Sequence, residues 1–254
     1  MKKIIYLIIL SFLISVNSLA ADSSKDGDVK DCFEGVNRGI FAFNKALDNI
    51  IVEPLATGYR KLPSPIRTGT SNFLSNLSLL STIPNNVLQG DLGLAGKNTS
   101  RLLINSTVGI LGLFDPATSF GLNNYEREDY GQTLAKWGVD EGCYIVLPIL
   151  GPSTLRDTTG KLVNYFGGDP WYNITVRNDT QYVSEFDYYT SVGTSGVDFR
   201  AKNLESFNNL EENSMDFYAS VKSLYLQDRK KKILNSDDIT DTFDDSDWEE
   251  IEAK

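Results

Sequence analysis

The chain has 254 residues, 41% of them hydrophobic and 23% charged, which is enough for one large domain with a sizeable core or for two small ones. Its formal charge is −10 at pH 7, which excludes nucleic acid as a partner, because phosphate binding needs a basic face. It contains no histidine, which removes the commonest general base, the usual catalytic triads and most zinc sites.

The first residues, MKKIIYLIILSFLISVNSLA, place Lys2 and Lys3 before an uncharged apolar run over 4–16 and a small-residue end at Ala20. This is the three-part pattern of a secretory signal over residues 1–20, the alternative being a retained anchor helix. The run is shorter than the roughly 20 apolar residues of a membrane span. Residues 21–31 read as a polar, flexible leader, and 235–254 as an acidic, disordered tail, because Asp and Glu crowd between Asp237 and Glu252. The domain proper is then 32–234. Cys32 and Cys143 lie in an exported chain, so a single disulfide is allowed; the other reading is two small buried apolar residues that never meet.

From Phe33 the spacing of Phe33, Val36, Ile40, Phe43, Leu47 and Ile50 predicts an amphipathic helix that ends before Pro54, with Phe41 widening its apolar face. A second helix is expected over 66–80, with Ile66, Phe73, Leu77 and Leu80 on one side and mostly Ser, Asn and Thr elsewhere, then a turn at Pro84 and a third helix over 85–104. Residues 102–114, LLINSTVGILGLF, carry no charge and include Gly109 and Gly112. They are too short to span a bilayer, and read either as a buried hairpin of two short helices or as an apolar wedge. Residues 144–150 pose the same question: a buried strand followed by a tight turn, or a loop set against something apolar. Two such runs in one exported chain point to apolar surface that meets lipid. Residues 171–183 suggest a turn and a short helix. The clearest helix covers 197–233, with Leu204, Phe207, Leu210, Phe217, Val221, Leu224 and Tyr225 in helical register and Lys230–Lys232 near its C-terminal end. No alternation of useful length predicts a sheet, so the fold class is mainly α.

Sequence motifs for chemistry are missing. There is no G-x-S-x-G elbow, P-loop or G-x-G-x-x-G fingerprint. The acidic pairs Glu128-Asp129 and Asp140-Glu141 could serve as acid and base, but adjacent acids on loops read first as solvated surface or helix caps. No enzyme, metal or cofactor is expected.

Five segments follow one another in order: DCFEGVNRGIFAFN (31–44), SNFLSNL (71–77), NNVLQGDLGLAGKNTSRLLINSTVGILGLFDPAT (85–118), DYGQTLAKWGV (129–139) and YIVLPILGPSTLRDTTG (144–160). Together they resemble the MlaA/VacJ family of Gram-negative outer-membrane phospholipid-transport proteins, over about 31–234. The resemblance implies a ring-like helical domain on the periplasmic side of the outer membrane, a central amphipathic channel, and removal of mislocalised phospholipid from the outer leaflet. It also implies trimeric porins and a soluble periplasmic lipid carrier as partners, and no nucleotide.

By position in that pattern, Phe41, Phe43 and Asn44 are channel or gate neighbours, and Ile110, Leu111, Leu113, Phe114, Tyr144, Ile145, Leu147 and Leu150 are membrane or channel contacts. Arg156 and Asp157 are read as a headgroup-level pair or, more simply, as a cap and salt bridge. Two departures stand out. The family carries a lipidated cysteine after the signal, where this chain has Ala21, which leaves the mode of anchoring open. The family also usually has proline at the positions of Cys32 and Cys143, and the joint change points to a disulfide between the start of the first helix and the 144–150 loop. A porin-binding adaptor that moves no lipid is the alternative function.

Overall fold

The computed structural model describes residues 29–123, 126–178 and 183–234. The expected signal segment, most of the leader and the acidic tail lie outside these. The fold is mainly α with one small hairpin, and none of the described helices is long and apolar enough to cross a membrane.

Helix α1 (Glu34–Leu47) passes through a π-helical turn, Asp48–Val52, into α2 (Glu53–Arg60). The sequence places the helix end before Pro54, but the chain continues. Pro54 lacks an N–H and crowds the preceding turn, and the wider π turn, closed by Glu53 N–H donating to Asp48 C=O, absorbs it. Helix α3 (Ser64–Leu88) likewise runs straight through Pro84, so the expected boundary there is wrong. Around that proline, side chains reach the helix carbonyls: Thr82 Oγ1 donates to Ser78 and Asn85 Nδ2 to Ser81. The third helix begins later than expected, as α4 (Leu92–Thr107), with Asp91 capping it by accepting from Leu94 N–H at 2.9 Å.

After a tight loop come the one-turn α5 (Pro116–Ser119) and α6 (Tyr130–Lys136). Strands β1 (Tyr144–Leu147) and β2 (Gly151–Thr154) then form an antiparallel hairpin, with Tyr144 opposite Thr154 and Leu147 opposite Gly151. The strand alternative for 144–150 is therefore the one adopted. Helix α7 (Leu155–Val163) follows, then a short α8 (Pro170–Tyr172) flanked by π-helical turns at Asn164–Gly168 and Asn173–Arg177.

The long C-terminal helix expected over 197–233 is three: α9 (Glu185–Lys202), α10 (Leu204–Asn213) and α11 (Phe217–Leu234). Asn203 leaves helical geometry at the first break. At the second, Asp216 accepts from Ala219 N–H and so starts α11. Apolar periodicity persists across both breaks, which is why it concealed them.

The apolar core is small. Tyr144, Val146 and Tyr218 are buried, with Ile40, Phe41, Tyr225 and Leu226 packed on them and Phe41, Tyr144, Phe217, Tyr218 and Tyr225 meeting edge-to-face at 5.4–6.2 Å. Beside it sits an ionic knot. Arg229 of α11 holds Asp129 through both guanidinium ends (2.7 and 3.0 Å) and Asp157 at 2.8 Å, while Tyr225 donates to Asp157. Asp129 in turn caps α6. Helices α6 and α7 cross where a Cβ on Gly160 would lie 2.4 Å from the Gly131 nitrogen, so neither helix can carry a side chain there. Arg156 and Asp157, read as a possible headgroup pair, are both buried in this knot.

Candidate functional site

The distribution of polarity is inverted. Buried side chains include Asn37, Asn76, Asn85, Asn86, Asn98, Arg101 and Asn105, whereas Leu92, Phe186 and Ile149 are 70%, 75% and 78% exposed. Exposed single apolar residues are ordinary in soluble proteins, but exposure on this scale marks a surface that meets something apolar.

The inversion is sharpest at the α3–α4 pair. On α3, Ser64, Arg67, Thr68, Ser71, Asn72, Ser75, Asn76 and Leu79 recur at three- and four-residue spacing and form one stripe, polar until Leu79. At 1.5 Å per residue it is about 22 Å long, more than the roughly 15 Å depth of one leaflet's hydrocarbon. Two half-open cavities lie along it, of about 490 and 300 Å³, and Asn72 lines both. The larger is walled by Asn72, Asn76, Arg101, Asn105, Asp115 and Asn123 among others. The smaller is walled by Tyr59, Arg67, Asp198 and Lys202 with the N-terminal half of the stripe.

The wall groups are fixed by hydrogen bonds. Helix α4 turns Ala95, Asn98, Arg101 and Asn105 inward, while Leu92 and Leu103 face out, as does Val108 just after it. Arg101 donates to Asp115 at 2.9 Å, to Thr118 and to the Leu122 carbonyl; Asn105 also donates to Asp115 at 2.9 Å. Burial pushes the Asp115 carboxyl up, but hydrogen bonds from Thr118, Asn105 and Arg101 outweigh it and hold it below its ordinary value. At the smaller cavity, Tyr59 O–H and Lys202 both bind Asp198, at 3.0 and 2.8 Å. Glu128, buried behind α3 and bound by Gln89 at 2.8 Å, is pushed up by burial. This wall offers polar contacts; among the described residues no group of His, Cys, Asp or Glu is arranged to hold a metal.

Two exposed apolar tips stand out, one beside this pair and one at the hairpin. In the loop after α4, Ile110 and Leu111 are both left-handed (φ 52° and 56°) and exposed, as are Leu113 and Phe114. That loop sits tightly on the stripe, because a Cβ on Gly112 (φ +92°) would lie 2.5 Å from the Asn76 Cβ. At the hairpin tip Ile149 is left-handed too (φ 66°) and Leu150 is exposed. A β-branched residue in this conformation is strained by roughly 1–2 kcal/mol, where Gly or Asn would be comfortable.

Other predicted site residues are placed differently. Phe41 and Tyr144 belong to the aromatic core, where Tyr144 is fully buried and Phe41 partly buried. Ile145 and Leu147 are half-buried, and Phe43 is exposed. Asn44 grips the hairpin, donating to Leu147 C=O (2.9 Å) and accepting from Ile149 N–H (2.7 Å). Two helical turns earlier, Asn37 does the same for Tyr144 C=O (3.0 Å) and Val146 N–H (2.9 Å). These asparagines serve the β1 edge in place of a third strand. Cys32 and Cys143 are disulfide-bonded at the hairpin's base. Arg101, Asp115 and the α3 stripe were not singled out in the sequence. The available signal was that Arg101 and Asp115 bracket the uncharged run 102–114.

A family model for the MlaA lipoprotein matches residues 29–232. An uncharacterized protein of Rickettsia bellii is 36% identical over 208 residues, 81% of this chain and 78% of that one. The intermembrane phospholipid transport system lipoprotein MlaA of Escherichia coli is 34% identical over 204 residues, 78% and 76% of the two chains. Its counterpart from Haemophilus influenzae is 30% identical over 233 residues, covering 89% and 90%. A solved structure described under "structural basis for maintenance of bacterial outer membrane lipid asymmetry" superposes with a TM-score of 0.67 at 32% identity, over 80% of this chain and 99% of that one. By the family match over most of its length and by these relatives, the chain belongs to the MlaA lipoprotein family.

Proposed function

We propose that this chain works in the outer membrane as a phospholipid-transport component, with its exposed apolar residues among acyl chains and the α3 stripe as the polar wall along which headgroups move. The observation that carries this reading is the inversion at α3–α4, where Asn76, Asn86, Asn98, Arg101 and Asn105 are buried while Ile66, Leu88, Leu92 and Leu103 are exposed. A headgroup needs polar contacts along its whole path, whereas acyl chains need none, and a helix lying at the interface turns its bulky apolar groups toward lipid. The left-handed tips at Ile110, Leu111 and Ile149 act as apolar anchors. The wall is passive, so direction comes from partners: a trimeric porin that seats the protein, and a soluble periplasmic carrier that removes lipid extracted from the outer leaflet. The signal over 1–20 delivers the chain to the periplasm.

The test is labelling of surface phospholipid amines on intact cells with an impermeant reagent, in parent, deletion and complemented strains. Labelling is expected to rise on deletion and to return on complementation. Unchanged labelling, with the protein present in outer-membrane fractions, would overturn the transport reading and leave a non-transporting adaptor.

A further inference from the structure

The two cavities along α3 differ in charge. In the larger, Arg101 and Asp115 are bound to each other, so its wall is neutral. The smaller is lined by Arg67, Lys202 and Asp198, two cations against one anion, with hydroxyls from Ser64, Thr68 and Ser71. Asp198 is buried and already taken: it accepts from Tyr59 O–H at 3.0 Å and from Lys202 Nζ at 2.8 Å. Its charge therefore matches that of Lys202, which also donates to Ser71. Arg67 is left over. Its Nε–H donates to the Leu62 carbonyl at 3.1 Å, which fixes the plane of the guanidinium, and among the described residues neither terminal nitrogen has a hydrogen-bond or carboxylate partner. These donors are within reach of a ligand, since Arg67 is only half-buried and Ser64 and Thr68 are exposed. Ser64, Arg67, Thr68 and Ser71 share one face of the first two turns of α3, so all four line the same cavity.

We infer that the smaller cavity is a cationic station on the headgroup path, where the Arg67 guanidinium pairs with the phosphodiester of a net-anionic phospholipid. This deepens the transport reading and rests on it. A guanidinium with both terminal nitrogens open presents a planar fork that matches two oxygens of one phosphodiester. The single negative charge of that phosphate neutralises the one unmatched positive charge, and the Ser64 and Thr68 hydroxyls supply neutral donors beside it. A headgroup with an ammonium of its own brings a cation to a wall that still holds Lys202 and has no open carboxylate, because Asp198 is taken. Zwitterionic lipid is therefore held less well than phosphatidylglycerol, and diacylglycerol, which has no phosphate, least. The volume of about 300 Å³ lies at the small end of ligand sites, room for a headgroup but not for its acyl chains. Asn72 stands on both walls, so a headgroup leaving the neutral cavity meets the charged one next.

The experiment uses the full chain, purified in detergent at about 0.15 M salt, where exposed charges more than about 8 Å apart are largely screened. It is offered equal amounts of phosphatidylglycerol, phosphatidylethanolamine and diacylglycerol of one chain length, and the retained lipid is read by mass spectrometry. The wild type is expected to retain phosphatidylglycerol over phosphatidylethanolamine, and either over diacylglycerol. Arg67→Gln should lower the ratio of phosphatidylglycerol to phosphatidylethanolamine by about fivefold, the scale of one unit charge at contact distance in a water-like medium. Ser64→Glu is the second variant. Ser64 is exposed in the first turn of α3, where an acidic residue suits the helix dipole and folding is not at issue, and a carboxylate three residues before Arg67 occupies the guanidinium. It should lower the ratio to the same degree. Lys230→Gln removes an exposed charge from α11, which lines neither cavity, and is expected to leave the ratio unchanged. Inorganic phosphate and glycerol phosphate, added at the lipid's concentration, are expected not to displace it; displacement would assign the cavity to a soluble phosphate instead. A wild type without preference for phosphatidylglycerol, a ratio that either cavity variant leaves unmoved, or an equal fall in Lys230→Gln would overturn the cationic station while leaving lipid binding intact. A wild type that retains no lipid of any kind would overturn the transport reading itself.

Discussion

Two corners of the molecule use the same residue type to opposite ends. At the hairpin, Asn37 and Asn44 are engaged at both oxygen and nitrogen, and with the disulfide they fix β1 to α1. On α3 and α4, Asn76 and Asn98 keep an oxygen without a partner and Arg101 keeps a nitrogen. The first corner is closed and supports the fold. The second is left incompletely paired, and two of its members, Asn76 and Arg101, lie on the wall of a half-open cavity. Burial of asparagine therefore says little by itself; what matters is whether its amide is complemented from within the chain.

That contrast can be broken most severely at the ionic knot behind the hairpin. Arg229→Met leaves Asp157 buried and poorly matched, and is expected to lower stability by about 3–5 kcal/mol in chemical unfolding. The same site has a pH signature. Burial opposes ionisation of Asp129, but Arg229 outweighs it and holds the carboxyl down to about 2. A depressed carboxyl stabilises the fold fully above its unfolded value of about 3.9, and that contribution is lost as pH falls toward the folded value. Between about pH 4 and 2 the wild type should therefore lose stability more steeply than Arg229→Met.

Next in size, replacing both Cys32 and Cys143 by serine should lower stability by about 2–4 kcal/mol, with reductant having the same effect on the wild type and none on the variant. Asn37→Ala strips partners from Tyr144 C=O and Val146 N–H, and is expected to lower the denaturation midpoint by the equivalent of about 1–3 kcal/mol. The smallest effect tests the other corner. Asn72→Ala on the stripe should change stability by under about 0.5 kcal/mol, yet raise surface phospholipid labelling toward the deletion level. A large stability loss there, with normal labelling, would erase the distinction between the corners.

Much of this was legible in the sequence, with one systematic gap. The spacing of Phe33, Val36, Phe43 and Ile50 correctly announces a helix, but those side chains are all more than half exposed. Periodicity reports that one face differs from the other; it does not report which face meets which medium. For the same reason the Ser and Asn positions of α3, which look like a solvated side, turn out to line the cavities. The breaks at Asn203 and Ser214 were hidden by apolar residues that stay in register across them, although Asp216 ahead of α11 is a readable cap. The passage through Pro54 required a π turn, which no local pattern announces.

The inverted interior also bears on how the protein melts. The heat capacity gained on unfolding, ordinarily about 12–15 cal/mol/K per residue, arises mainly from apolar surface newly wetted. A chain in which many large apolar side chains already face outward, and whose interior holds asparagine and arginine, has less such surface left to uncover. Its increment should fall below that range, flattening its stability against temperature. Calorimetry alone would then distinguish it from a water-adapted helical protein of equal length.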